Sequence, residues 1–199
     1  MDLKLFDALM TTIEPKQFGQ QPQEWRTFMG FAYSYFSSRG IEHPVVVEIG
    51  VWTGHQKRFY EMIMGAHYIG IDFNPDVCAD IPGNSQDQWV YDALLKMLHG
   101  RPIDLLFIDG AHDYTGVKSD YLSYGPLTKH IVALHDIGTL GLPSDIEPVE
   151  VREFWHEVEK TDLTNTLMTI RHHNPAGSGQ FSDLADGERQ MNIGLIIKP

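Results

Sequence analysis

Glu48, Gly50 and Gly54 stand in the run Val47-Glu48-Ile49-Gly50-Val51-Trp52-Thr53-Gly54, an acid followed by two glycines four residues apart. Glycine lets a backbone turn sharply and approach a ligand with no Cβ in the way. A dinucleotide site would need G-x-G-x-x-G, whose close glycines seat a pyrophosphate on a helix N-terminus. Here the middle glycine is missing and the pattern is E-x-G-x-x-x-G. Asp72, in Tyr68-Ile69-Gly70-Ile71-Asp72-Phe73-Asn74-Pro75, falls about 20 residues later, the spacing of a carboxylate that takes ribose hydroxyls. Taken singly, the glycines could serve no more than a strand-to-helix turn, and Asp72 could cap a loop. Two more polar groups end apolar runs further on: Asp109 with His112, and the pair His135-Asp136. Acids and imidazoles are the side chains that hold cations and carry protons. Asp109 could equally cap the next helix, and the two histidines could be hydrogen-bonded structural groups.

These residues need a scaffold that brings strand ends together. Val45-Val46-Val47-Glu48-Ile49 is β-branched, bounded by Pro44 and Gly50, and reads as a first buried strand. His67 to Asp72 reads as a second, Ala79 to Ile81 as a short third, Ile103 to Asp109 as a fourth and Ile131 to Asp136 as a fifth. Residues 54–65, 86–99 and 114–128 between them carry helical apolar spacing, as at Trp89, Ala93, Leu94 and Met97. Val151 to Lys160 reads as another helix, and Thr166 to Arg171 and Asn192 to Lys198 as two strands forming an antiparallel edge. This rhythm predicts an α/β fold: a Rossmann-like, doubly wound, mostly parallel sheet with an antiparallel C-terminal edge and helices on both faces. Residues 1–40, rich in Phe, Trp and Tyr from Phe6 to Phe36, are expected to form a helical cover over a catalytic domain of residues 41–199, the whole being one compact domain. Ligands of such a sheet bind at the carboxyl ends of its strands, which is where Glu48, Asp72, Asp109 and His135-Asp136 fall.

The first of these motifs resembles the cofactor loop of class I S-adenosylmethionine (SAM)-dependent methyltransferases. In that family the loop passes under the methionine part of SAM, its acid supports the loop or the ammonium group, and an acid at the end of the second strand, here Asp72, holds the ribose. Gly83-Asn84-Ser85-Gln86-Asp87 follows the short third strand, where the family places a polar residue against adenine; these residue types also make ordinary turns and caps. Phe107-Ile108-Asp109-Gly110-Ala111-His112-Asp113-Tyr114, Ala133-Leu134-His135-Asp136-Ile137 and Val151-Arg152-Glu153-Phe154-Trp155 resemble a subgroup that includes the macrocin and mycinamicin sugar O-methyltransferases and proteins labelled cephalosporin hydroxylase. The likeness runs from about Val45 to Trp155.

The resemblance implies SAM held by Glu48, Gly50, Gly54, Asp72, Asn84, Ser85 and Asp109. It also implies a divalent cation, Mg²⁺ by preference, on Asp109 and Asp136, with His112 as general base. His135 stands where some relatives carry another acid and joins the metal set on that ground. Two carboxylates at neighbouring strand ends suit Mg²⁺, a hard ion that prefers oxygen and keeps waters. An imidazole with an ordinary pKa near ~6.5 suits proton abstraction at neutral pH. The implied reaction is O-methylation of a small-molecule hydroxyl.

Composition narrows the partners. With 15 Lys+Arg against 27 Asp+Glu the net charge is −12, which repels a polyphosphate backbone, so no nucleic-acid partner is expected. Apolar runs are far short of the ~20 residues that cross a bilayer, the first residues lack the basic start of a signal peptide, and Cys78 is the lone cysteine. A cytoplasmic protein with a small-molecule acceptor and no membrane partner is expected, and assembly into a homo-oligomer is left open. His172-His173 with His130 lacks a second tight pair for zinc, and Pro175 to Gly179 lacks the Lys of a phosphate loop. Trp52, Trp89 and Trp155 are expected to be packing residues. Acceptor specificity is expected in the N-terminal helices and in loops 138–150 and 171–190. Three other functions compete: a His-Asp phosphohydrolase, an NAD-dependent oxidoreductase, and a SAM-binding regulatory protein without turnover.

Overall fold

The computed structural model describes residues 1–14, 17–138, 149–171 and 192–199. His172-His173, the 175–179 loop and most of the two expected specificity loops lie outside them. The described elements run α1 (Leu3–Thr11), α2 (Pro22–Ser38), β1 (Val45–Ile49), α3 (Gln56–Met64), β2 (His67–Asp72), β3 (Ile81–Pro82) and α4 (Gln88–Leu98). They continue with β4 (Ile103–Ile108), α5 (Tyr114–Tyr124), β5 (Thr128–Leu134), α6 (Val151–Thr161), β6 (Thr166–Ile170) and β7 (Ile193–Ile197).

The seven strands form one sheet in the order β3-β2-β1-β4-β5-β7-β6. The first five are parallel, while β7 pairs antiparallel with both β5 and β6. The expected antiparallel region is therefore present, with β7 inserted inside β6 rather than at the rim. Strand β5 starts three residues earlier than its apolar run, at Thr128, and α3 starts two residues later than its pattern, at Gln56. Both shifts come from turns that propensity does not mark. Gly54, at φ +74°, closes a turn by donating its N–H to the Val51 carbonyl before α3 can begin.

Side-chain alternation sorts the sheet's residues to two cores. Val46, Leu105, Phe107, Ile131, Ala133 and Leu195 face α1, α2 and α3. Val47, Ile49, Leu106, Ile108, Val132 and Ile196 face α4, α5 and α6. Burial on both faces explains why each strand reads as a continuous apolar run instead of an alternating one. The N-terminal aromatics are core, as their density predicts: Trp25 is fully buried and meets Phe28, Phe59, Tyr60 and Phe107 at ring distances of 5.2–6.0 Å. Helix α2 is thereby fixed across the middle of the sheet, close to the ends of β1 and β4. Among the described residues no helix is long and apolar enough to cross a membrane.

Candidate functional site

The parallel ladder continues for one residue beyond several strands, and this sets the site. Gly50 donates its N–H to Ile71 O at 2.9 Å, Asp109 to Ile49 O at 2.8 Å, His135 to Ile108 O at 3.1 Å and Gly83 to Asp72 O at 2.8 Å. The first residue after each of these strands is therefore held in line with its neighbours. These ends open on a cleft of about 840 Å³, within the ordinary size of a small-molecule or cofactor site. Gly50, Asp72, Asn84, Ser85, Asp109, His112, His135 and Asp136 all line it, whereas Glu48 and Gly54 do not.

The end formed by β1, β2 and β3 is built around a glycine turn. Gly50 has φ +87°, and a Cβ there would lie 2.0 Å from the Asp109 carbonyl oxygen, so no side chain fits. Asp72 fixes the turn: its Oδ2 accepts from the N–H groups of Val51 and Trp52 at 2.8 and 2.9 Å, and its Oδ1 from Asn74 at 2.8 Å. The loop-capping reading of Asp72 therefore holds, and a carboxylate that accepts three bonds keeps acceptor capacity for a further donor. Asn84 caps its own turn by accepting from Gln86 N–H at 3.0 Å, and the Ser85 hydroxyl donates to Asp120 Oδ1 at 2.7 Å. Both line the cleft with their polar side chains already engaged. Asp120 is buried, and burial pushes its carboxyl up to about 6.

Glu48 lies beneath this loop, on the α2 and α3 side of the sheet. It is fully buried, and its Oε2 accepts from the Tyr68 hydroxyl. Burial pushes its carboxyl up to about 8, even though the Tyr68 bond acts the other way. Tyr60, whose own hydroxyl is pushed upward by burial and by the Glu48 charge, stacks on Tyr68 at 5.7 Å. Glu48 therefore ties β1 to Tyr68 of β2 inside the core and, contrary to its expected place among the cofactor residues, does not line the cleft.

The end formed by β4 and β5 is a cluster of acids and imidazoles. One ligand-capable atom from each of Asp109, His112 and Asp136 lies within 4.8 Å of the others. His112 Nε2 is 3.6 Å from Asp109 Oδ1 and 3.5 Å from Asp136 Oδ2, and this buried nitrogen has no hydrogen-bond partner. Asp136 holds its place with left-handed backbone, φ +59°, a cost that non-glycine residues bear chiefly at functional sites. His135 is set behind these three: its Nδ1 is 3.0 Å from Asp109 Oδ1 and 3.5 Å from Asp136 Oδ1. It was assigned to the metal set from the sequence, but the structure aims it at the carboxylates themselves. Its ring is 1% exposed, and although burial opposes the charged form, Asp109 and Asp136 hold its pKa well above the usual value. Asp109 mirrors this, since burial would raise its carboxyl but the His135 and His112 imidazoles hold it well below the usual range. His112 is raised, chiefly by the Asp109 carboxylate.

Scans of the sequence against family models and against curated proteins give no match. Solved structures do match the fold. Cofactor-bound Rv0187 from MTB superposes with TM-score 0.60 at 16% identity, covering 98% of this chain and 88% of that one. The O-methyltransferase TomG from Streptomyces achromogenes, in complex with SAM, gives 0.57 at 14% identity, with 99% and 89% covered. MycE of the mycinamycin pathway, in complex with Mg, S-adenosylhomocysteine (SAH) and mycinamycin VI, gives 0.58 at 15% identity; the match takes in 97% of this chain and 54% of MycE. This is a SAM-methyltransferase fold. Within it, the cleft lies at the strand ends where the motifs put it, while the interposed antiparallel β7 is a feature that the motifs alone could not place.

Four residues in or behind this cleft escaped the sequence reading. Gln20 donates from Nε2 to Asp109 Oδ2 at 2.7 Å, and Glu24 Oε1 stands 3.4 Å from His135 Nε2. Trp52, expected to pack, instead lines the cleft with 44% of its surface exposed, and Phe73 lines it at 79% exposed. Trp155 does pack, its ring lying against Gly194, and Trp89 is half exposed at 52%. Phe73 had one legible signal, an aromatic directly after Asp72. Gln20 and Glu24 had none, because nothing local ties α2, or the segment just before it, to the ends of β4 and β5.

Proposed function

We propose that this protein is a SAM-dependent methyltransferase that transfers the methyl group to a hydroxyl of a small molecule, with a divalent cation held by Asp109 and Asp136. The observation that carries this reading is a juxtaposition. One cleft has a glycine turn and a β2 carboxylate at one end, and at the other two carboxylates and an imidazole whose atoms converge without bonding to one another.

The residues fit both groups. The cleft is large enough for a nucleoside, Gly50 keeps its floor at backbone level, and Asp72 presents a carboxylate beside that floor. At the other end, oxygens of Asp109 and Asp136 lie within 4.8 Å of each other and of His112 Nε2, close enough for the two carboxylates to share one hard, oxygen-preferring cation with the imidazole beside it. SAM supplies, when bound, a methyl group on a positively charged sulfur, and Mg²⁺ supplies a charge that acidifies a hydroxyl beside it. Asp72 accepts hydrogen bonds from the ribose, and Asn84 and Ser85 border the adenine. Asp109 and Asp136 would hold the cation beside the acceptor oxygen. His112 takes the hydroxyl proton at Nε2, and the walls of the cleft keep bulk water from competing with the acceptor.

Calorimetry tests the cofactor half. SAM and SAH are expected to bind with micromolar affinity, about −7 to −8 kcal/mol, and NAD far more weakly. The reverse order would favour a nicotinamide-dependent oxidoreductase. Incubation with methyl-labelled SAM and a panel of hydroxylated small molecules tests the reaction. Transfer should be abolished by EDTA and restored by Mg²⁺, while full transfer in excess chelator would remove the cation from the scheme. Tight SAH binding with no transfer to any acceptor would favour a regulatory protein.

A further inference from the structure

The cation reading leaves unexplained why a helix packed on the core carries buried polar groups toward the centre. Helix α2 and the turn before it bury Trp25, Phe28 and Met29 against the sheet, yet Gln20 is 3% and Glu24 1% exposed. Gln20 Oε1, Glu24 Oε1 and His135 Nε2 all lack hydrogen-bond partners. Unsatisfied buried atoms destabilise a protein, so packing alone does not account for these side chains.

Their contacts do. Gln20 Nε2 donates to Asp109 Oδ2 at 2.7 Å. Glu24, four residues on, faces His135 Nε2 at 3.4 Å, and the opposite ring nitrogen of His135 meets Asp109 Oδ1 at 3.0 Å. Both oxygens of Asp109 are therefore gripped: Oδ2 directly by Gln20, and Oδ1 through a ring that Glu24 backs. Asp136 Oδ1, 3.5 Å from the same ring nitrogen, is drawn into the same arrangement. His112 is reached by neither.

We infer that Gln20 and Glu24 are positioning residues for the cation centre, Gln20 orienting Asp109 directly and Glu24 orienting Asp109 and Asp136 through His135. The inference rests on the cation reading proposed above. Neither residue touches the cation, the cofactor or the reacting atoms. They set the carboxylate rotamers, so that the aspartates meet a cation in one fixed geometry. The segment expected to be a cover is on this view also the outer wall of the centre.

Mn²⁺ binding, followed by electron paramagnetic resonance on the full chain, tests this without an acceptor substrate. Removing an outer partner of a metal ligand typically weakens metal binding by roughly 10–100-fold, and Gln20→Ala and Glu24→Ala are each expected to do so. SAH affinity, read by calorimetry on the same samples, should stay within about twofold, since the cofactor is held by Gly50 and Asp72. Glu24→Gln retains an oxygen facing His135 and should recover most of the affinity lost in Glu24→Ala. Urea midpoints identify a misfolded variant; if Glu24→Ala unfolds, Gln20→Ala, which removes one side-chain hydrogen bond, carries the test. Wild-type protein that takes up no Mn²⁺ overturns the cation centre and the positioning role with it. Wild-type protein that binds Mn²⁺, with folded variants that bind it equally well, overturns the positioning role alone. A loss of SAH affinity equal to the loss of Mn²⁺ affinity would likewise overturn it, as a sign of general damage.

Discussion

The two ends of the cleft are built on opposite plans. At the β1–β2 end the parts lie within a short stretch of chain, and the contacts are mostly to backbone: Asp72 accepts three main-chain N–H groups, two of them from the turn just after Gly50. At the β4–β5 end the parts come from residues 20, 24, 109, 112, 135 and 136, the contacts are between side chains, and several buried atoms have no partner. The three bonds to Asp72 hold the glycine turn whether or not a ligand is present. An unsaturated network keeps polar atoms at a cost of about 1–3 kcal/mol each, an arrangement suited to a group that arrives later. The difference separates a preformed cradle from a centre completed on binding.

Joining the two ends should do the most damage to both. Gly50 touches Asp109 O, so Gly50→Ala forces a Cβ to 2.0 Å from that oxygen at φ +87°. The left-handed backbone costs about 1–3 kcal/mol and the overpacking about as much again, for an expected loss of ~2–6 kcal/mol. Urea unfolding reads it, and SAH and Mn²⁺ binding should fall together; a variant of wild-type stability would show that the ends are not mechanically joined. Separating them is the next test. His112→Ala should slow methyl transfer by roughly 10²–10⁴-fold, the range for a lost general base, with SAH affinity unchanged in calorimetry. Unaltered turnover would remove the base role, and lost Mn²⁺ binding would make His112 a ligand instead.

A smaller effect is expected at the cradle. Asp72→Ala removes a charged acceptor from three N–H groups and from the ribose, so SAH binding should weaken by about 1.5–3 kcal/mol while Mn²⁺ binding holds. Equal weakening of both would mean that the ends communicate. The finest test concerns the acid beneath the loop. Glu48 has a folded pKa raised from 4.5 to about 8, so the native state keeps a proton that the unfolded chain releases above pH 4.5. Stability from this group is complete below that pH and declines as pH rises toward 8. Glu48→Gln, which cannot ionise, should match the wild type in urea midpoint near pH 4.5 and exceed it near pH 8. Parallel pH profiles for the two proteins would show that Glu48 ionises freely.

Much of the cradle is legible in the sequence because its determinants are local. The glycine spacing, the β-branched run before it and the acid after the second strand each act within a few residues, and parallel strands register the rest. The helices and four of the five parallel strands were legible for the same reason, apart from boundaries set by turns at Gly54 and Thr128; the third, expected over Ala79 to Ile81, is found at Ile81–Pro82, and the helix expected over 114–128 ends at Tyr124. The direction of a side chain at a strand end was harder to read. Period-two alternation sends Glu48 to the α2 face, although its place in the motif suggested a cofactor contact, and sends His135 behind Asp109.

By itself, the sequence determined the alternating architecture, the glycine turn, and the presence of acids and imidazoles at four strand ends, since periodicity and backbone freedom are properties of neighbouring residues. Tertiary structure alone decided that β7 lies inside β6, that Asp109, His112 and Asp136 converge within 4.8 Å, and that Gln20 meets Asp109 and Glu24 meets His135. Those contacts join residues as far apart in the chain as Glu24 and His135. Their geometry follows from how α2 is seated by Trp25 on Phe107, a packing energy that no local pattern records.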